Sequence, residues 1–210
     1  MPTPSQILET LSALAKEWWV LAVIWHLYFA ALAAALALKW RPGKSLAAFI
    51  LAVPLLSVVV TAWLSGNPFT AAVLGAVYMG LAAIGWRLPK TPLSIAVGPL
   101  LVPGLFMVLF GLVYPEFLGA ASALTYLYAA PVGIVPCPTL SVLVGFSIIL
   151  GSMGSRHWGL LLGAAGIFYG AFGALRLGVT LDWALFLGSV FLLFRVWKQT
   201  SRSAATSTVA

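Results

Sequence analysis

Few side chains in this sequence can do chemistry, and the most conspicuous is Cys137, the one cysteine, held between Pro136 and Pro138 in the stretch G-I-V-P-C-P-T-L, residues 133–140. A residue before proline is pushed away from helical torsions, whereas proline itself suits a helix's first turn. Val135 and Cys137 therefore read as extended, with Cys137 capping a helix that Pro138 opens. Free amides and the dipole at such an end favour a thiolate, while apolar surroundings oppose it, so residue type leaves open both an inert filler and a reactive or metal-binding thiol. His26 lies eight residues beyond Trp18, about 12 Å along an upright helix. An ionisable group at that depth in a membrane is a functional candidate by default.

If the Cys137 turn dips inward from the outer surface, Cys137 and His26 can line one outward-facing cavity, with Pro136, Pro138, Tyr126 and Tyr128 in its wall. Cys137, His26 and Met107 would give a thiolate, an imidazole and a thioether, a set suited to a soft ion such as copper(I). No C-x-x-C, H-x-x-H or methionine cluster adds to that set. Arg176 and Asp182 bracket a short turn, where they are placed to form an outer-face ion pair. Asp182 also opens a helix, where the dipole favours a carboxylate.

Absences narrow the chemistry further. No Asp, Glu, Lys or Arg stands in the middle of an apolar run, so a proton relay, voltage sensor or ion-coupled pump lacks its carriers there. The last run has no lysine before Lys198, which leaves a retinal Schiff base without an amine. His157 and His26 fall at opposite faces, which excludes a bis-histidine haem. Paired acids, a Ser–His pair and an H-E-x-x-H motif are all missing, so we expect no enzyme.

These groups must be positioned by a very apolar chain. It has 210 residues, of which 62% are hydrophobic and 7% charged, a composition that fits the lipid bilayer and no soluble domain. Seven predominantly apolar, punctuated runs read as spans: 18–39, 45–65, 69–87, 94–113, 138–154, 158–175 and 182–197, of which 138–154 falls about 5 Å short of the hydrocarbon thickness and so sets Cys137 below the outer surface. Of the eleven basic residues, nine (Lys39, Arg41, Lys44, Arg87, Lys90, Arg156, Arg195, Lys198 and Arg202) then fall on one side, with only Lys16 and Arg176 opposite. By the positive-inside rule the N-terminus is outside and the C-terminus cytoplasmic. This sidedness also accounts for the net charge of +7, and no nucleic-acid partner is expected. No basic n-region or cleavage site marks a signal peptide at the N-terminus.

Around the spans, Thr3, Pro4 and Gln6 predict a capping box that opens an amphipathic interfacial helix. Residues 121–135 are too apolar for an exposed loop and too short for a span, so they read as a re-entrant or interfacial segment. Glycines 159, 163, 166, 170 and 173, and the small residues Ala72, Ala76 and Gly80, predict that spans six and three form the bundle centre. Pro54, Pro99 and Pro103 predict kinks in spans two and four. The predicted fold is an all-α, seven-helix membrane bundle, a single domain over 1–199 with a polar, disordered cytoplasmic tail at 200–210. No inverted repeat of the kind common in secondary transporters is visible.

The run Gly133, Pro136-Cys137-Pro138-Thr139 and Gly145 resembles a P-C-P-T motif in an uncharacterised family of bacterial polytopic membrane proteins, catalogued as a domain of unknown function. Tyr114-Pro115, Asn67-Pro68 and Leu177-Gly178-Val179 with Asp182 are similar to that family's spacing. The resemblance covers chiefly residues 114–190. It implies a helical bundle in a bacterial cytoplasmic membrane and some importance for the Cys137 turn and Asp182, and it implies no activity.

Two functional expectations follow. One is a non-enzymatic membrane protein that binds or passes a small neutral, apolar or soft-metal ligand near Cys137. The other is an accessory subunit, or a homo-oligomer, packing against a membrane-protein partner through glycine-rich and tryptophan-rich helix faces.

Overall fold

The computed structural model of the chain describes residues 3–96, 98–117 and 123–207, with the backbone alone for 123 and 199–207. Among these residues the protein is all-helical, without strands. Its helices are α1 (Pro4–Glu17), α2 (Trp19–Ala37), α3 (Lys44–Leu64), α4 (Pro68–Arg87), α5 (Leu101–Val113), α6 (Tyr126–Ala129), α7 (Pro136–Ile149), α8 (Arg156–Ala171) and α9 (Asp182–Ser207). Four helical stretches are long and apolar enough to cross a membrane: α2, α3, α4, and α8 extended by a π turn to Arg176. Large apolar side chains such as Leu27, Trp63, Met79 and Trp86 stand exposed along them, as lipid-facing residues do. The protein is a membrane protein.

Local chemistry starts these helices. Thr3 and Gln6 form the expected capping box, Gln6 Oε1 accepting from the Thr3 amide at 2.8 Å and Thr3 Oγ1 from the Gln6 amide at 3.3 Å. Asn67 Oδ1 accepts from the Thr70 amide at 3.0 Å, with Pro68 in the first turn of α4. Ser155 caps α8 through the Trp158 amide.

The centre of the bundle is α7, not the two helices expected there. Every residue from Pro131 to Leu150 is buried, so protein surrounds α7 on all sides. At the usual rise its 14 residues cover about 21 Å, less than a bilayer core. A helix that touches no lipid need not bridge the hydrocarbon alone. A buried turn extends it at one end, and at the other a left-handed turn, Gly151–Gly154, has φ of 56, 51, 54 and 74°. Ser152 and Met153 there stand in a region that costs L-residues about 1–2 kcal/mol each.

Small residues do bring backbones together, with partners that sequence does not name. Gly145 of α7 faces Gly104 of α5, and a Cβ on Gly145 would lie 2.7 Å from the Gly104 carbonyl oxygen. The glycine stripe of α8 seats α9: Gly163 meets Leu193, Gly166 meets Ser189, and Gly170 meets the Phe186 backbone. By contrast, α4 keeps Phe69, Met79 and Trp86 exposed.

Two further boundaries differ from expectation. In the run 94–113, residues 94–96 are not helical, and a 3₁₀ turn, Gly98–Leu100, leads into α5. Pro99 and Pro103 thus start a helix, since amides in a first turn have no intrahelical partner to lose. Residues 93–96 are not helical, and Ala96 N donates to Ile149 O at 2.7 Å. The backbone of α9 continues helical to Ser207, through much of the stretch expected to be unstructured.

Candidate functional site

The proline-flanked cysteine stands on a turn whose every part is held by a neighbour. Val135, extended at φ −109° and ψ 143°, caps α7, and Pro136 occupies its first turn. Cys137 is therefore helical, where an extended cap was expected. Helix initiation moves two residues upstream because Thr139 secures it: its Oγ1 donates to Val135 O at 2.7 Å and accepts from the Gly133 amide at 2.8 Å. Gly133 has φ +74°, and a Cβ there would enter the Trp25 indole. Trp25 is anchored in turn by Nε1 donating to Ser57 Oγ at 3.0 Å, and Thr61 Oγ1 donates to Ile134 O at 3.1 Å. The irregular backbone is satisfied by protein, the condition for such a segment away from water.

The thiol meets the first residue of α9. Cys137 Sγ donates to Asp182 Oδ2 at 3.3 Å, and Tyr114 Oη donates to Asp182 Oδ1 at 2.6 Å. Tyr114 follows the last residue of α5, so the carboxyl group joins the ends of α5, α7 and α9. A fourth element closes the site. The end of α8 widens into a π turn, Phe172–Arg176, and its Gly173 lies against the Asp182 carboxyl so closely that a Cβ has no room. π turns interrupt α-helices frequently at functional sites.

The cluster is shut off from solvent: Tyr114 is 0%, Asp182 1% and Cys137 8% exposed. Removing a carboxylate from water costs several kcal/mol, and a basic partner usually offsets it. Among the described residues Asp182 has no ion pair, and its hydrogen-bond partners are a phenol and a thiol. The expected pair with Arg176 does not form: Arg176 faces outward while Asp182 turns in. An inward turn gives the carboxyl two donors, which an outward turn at an exposed end would not.

The remaining expected residues are dispersed. His26 is buried, with Nδ1 2.8 Å from Ala22 O and Nε2 2.7 Å from Leu112 O. Met107 is buried against Gly188 of α9. Tyr126 is half-buried and Tyr128 exposed on α6. Cys137, His26 and Met107 thus make separate contacts, and among the described residues no three His, Cys, Asp or Glu side chains converge as metal ligands. Pro136 and Pro138 are buried within the first turn of α7. What residue-by-residue reasoning missed is the Tyr114–Asp182–Cys137 contact. Positions 114, 137 and 182 lie too far apart for residue spacing to bring them together.

Searches of protein-family models, curated proteins and solved structures find no match to this chain.

Proposed function

We propose that the chain is a non-enzymatic bacterial inner-membrane protein of seven spans, with its N-terminus outside, its C-terminus cytoplasmic and residues 123–135 re-entrant from the outer side. In this reading the short apolar helices α5 and α7 and the described part of α9 join the four long ones, and the basic residues keep their nine-to-two division. The Tyr114–Asp182–Cys137 cluster then lies near the outer surface. It is the ligand centre: Asp182 exchanges a proton with the outside as a small ligand binds or passes.

The observation that carries this reading is a carboxyl group buried without a basic partner and held by two groups that themselves bear protons. A carboxyl in such a place is costly for a fold that gains nothing from it. The closed packing around Asp182 favours a ligand no larger than a proton or small ion. The test is infrared spectroscopy of purified protein across a pH titration. The chain has only four acids, Glu9, Glu17, Glu116 and Asp182, so an Asp182→Asn difference assigns the signal. A titrating band that Asp182→Asn removes supports the reading; no such band overturns it.

A second reading, an accessory subunit, is favoured by an apolar groove of about 300 Å³ between α3 and α4, lined by Val59, Val60, Trp63, Leu64, Ala71 and Ala72. Purification in mild detergent should then return partner chains, and a homogeneous monomer would count against it.

A further inference from the structure

Two consecutive residues of α2 support the two arms of the Asp182 cluster. Trp25 receives Gly133 and so holds the turn that carries Cys137. His26, the next residue, reaches the end of α5 that carries Tyr114.

That end needs support. Leu112 O is among the last four carbonyls of α5, which the helix itself leaves without donors. The chain then turns at Tyr114, φ −40° and ψ 107°, into Pro115, which has no amide hydrogen to return. His26 Nε2 lies 2.7 Å from Leu112 O across 86 positions of sequence. A carbonyl only accepts, and Nδ1 faces Ala22 O at 2.8 Å, so a neutral ring donates to one of the two carbonyls and this contact is a bond when the proton is on Nε2.

We propose that His26 is a positioning residue: its Nε2–H caps α5 from a neighbouring helix and thereby aims Tyr114 Oη at Asp182. The proposal rests on the Asp182 cluster being the working centre, but its test does not depend on whether Asp182 exchanges a proton. Tyr114 stands two residues beyond Leu112, where loss of the cap frees the chain to swing the phenol off a bond whose length is 2.6 Å. The imidazole so acts through another residue and touches no ligand.

The experiment compares the infrared signal of Asp182, assigned by the Asp182→Asn difference, in wild type, Tyr114→Phe, His26→Ala and His26→Gln. Tyr114→Phe gives the signature of a carboxyl that has lost its phenol. His26→Ala is expected to shift the signal in the same direction by more than half of that amount, and His26→Gln, whose amide still donates, to restore most of it. A His26→Ala protein with the wild-type signal overturns the proposal, whatever its melting temperature. Should His26→Ala fail to fold, ring-¹⁵N NMR of the wild-type protein decides. His157 is the only other histidine and is removed by His157→Gln for assignment. A proton on Nε2 of His26 supports the cap, and an unprotonated Nε2 overturns it. If Asp182 never titrates while His26→Ala still shifts its signal, the proton-exchange reading fails and the positioning role stands.

Discussion

Tyr114 and Asp182, 68 positions apart in sequence, meet through a hydrogen bond of 2.6 Å that ties the end of α5 to the start of α9. Cys137 completes the contact from α7, so one carboxyl group joins three helix ends inside a bundle.

Removing either donor leaves a buried oxygen unsatisfied, at a cost of about 1–3 kcal/mol. Tyr114→Phe is therefore expected to lower stability by roughly that amount. Cys137→Ala should cost less, since a thiol is a weak donor at 3.3 Å. Thermal or chemical unfolding in a fixed detergent checks the ranking, and equal losses would contradict it.

Gly173 allows the π turn to lie on the Asp182 carboxyl, and no side chain fits between them. Gly173→Ala should force the two apart and lower stability by about 1–3 kcal/mol, the usual range for overpacking. Gly178→Ala is the control: Gly178 has φ +75° and open space around it, so its cost is backbone strain alone, about 1 kcal/mol. The Asp182 infrared signal should move in Gly173→Ala and stay in Gly178→Ala.

Thr139 serves the turn twice, donating to Val135 O and accepting from the Gly133 amide. Thr139→Val keeps the shape and loses both bonds, with an expected loss of about 2–3 kcal/mol. Thr139→Ser retains the hydroxyl and should recover most of it. A valine variant as stable as wild type would show that the turn is set by the prolines alone.

The thiol is enclosed, so a thiol reagent needs the cluster to open before it reacts. In purified protein Cys137 should label slowly, and Asp182→Ala should accelerate labelling at least tenfold by removing the carboxyl that holds the α7 and α9 ends together. Equal rates in the two proteins would mean that access follows another route.

What the sequence discloses here is the chemistry of near neighbours. Thr3 with Gln6 is readable because cap and helix lie within four residues. Membrane residence is equally plain from runs of apolar residues. The central place of α7 is not, because in a membrane protein lipid-facing and buried helices are both apolar all round, and periodicity cannot separate them. The glycines of α8 announce a close approach without naming α9 as the partner. Asp182 shows the limit most clearly. Helix position and the nearby Arg176 suggest an outward-facing group, whereas its actual partners arrive from α5 and α7, 68 and 45 positions away.

The most direct test of the account uses right-side-out membrane vesicles whose internal pH is clamped while external pH is stepped, with the infrared signal of Asp182 isolated by the Asp182→Asn difference. The account predicts that the signal follows the external step and ignores an internal one. A signal that follows only the internal step, or that responds to neither, would contradict it.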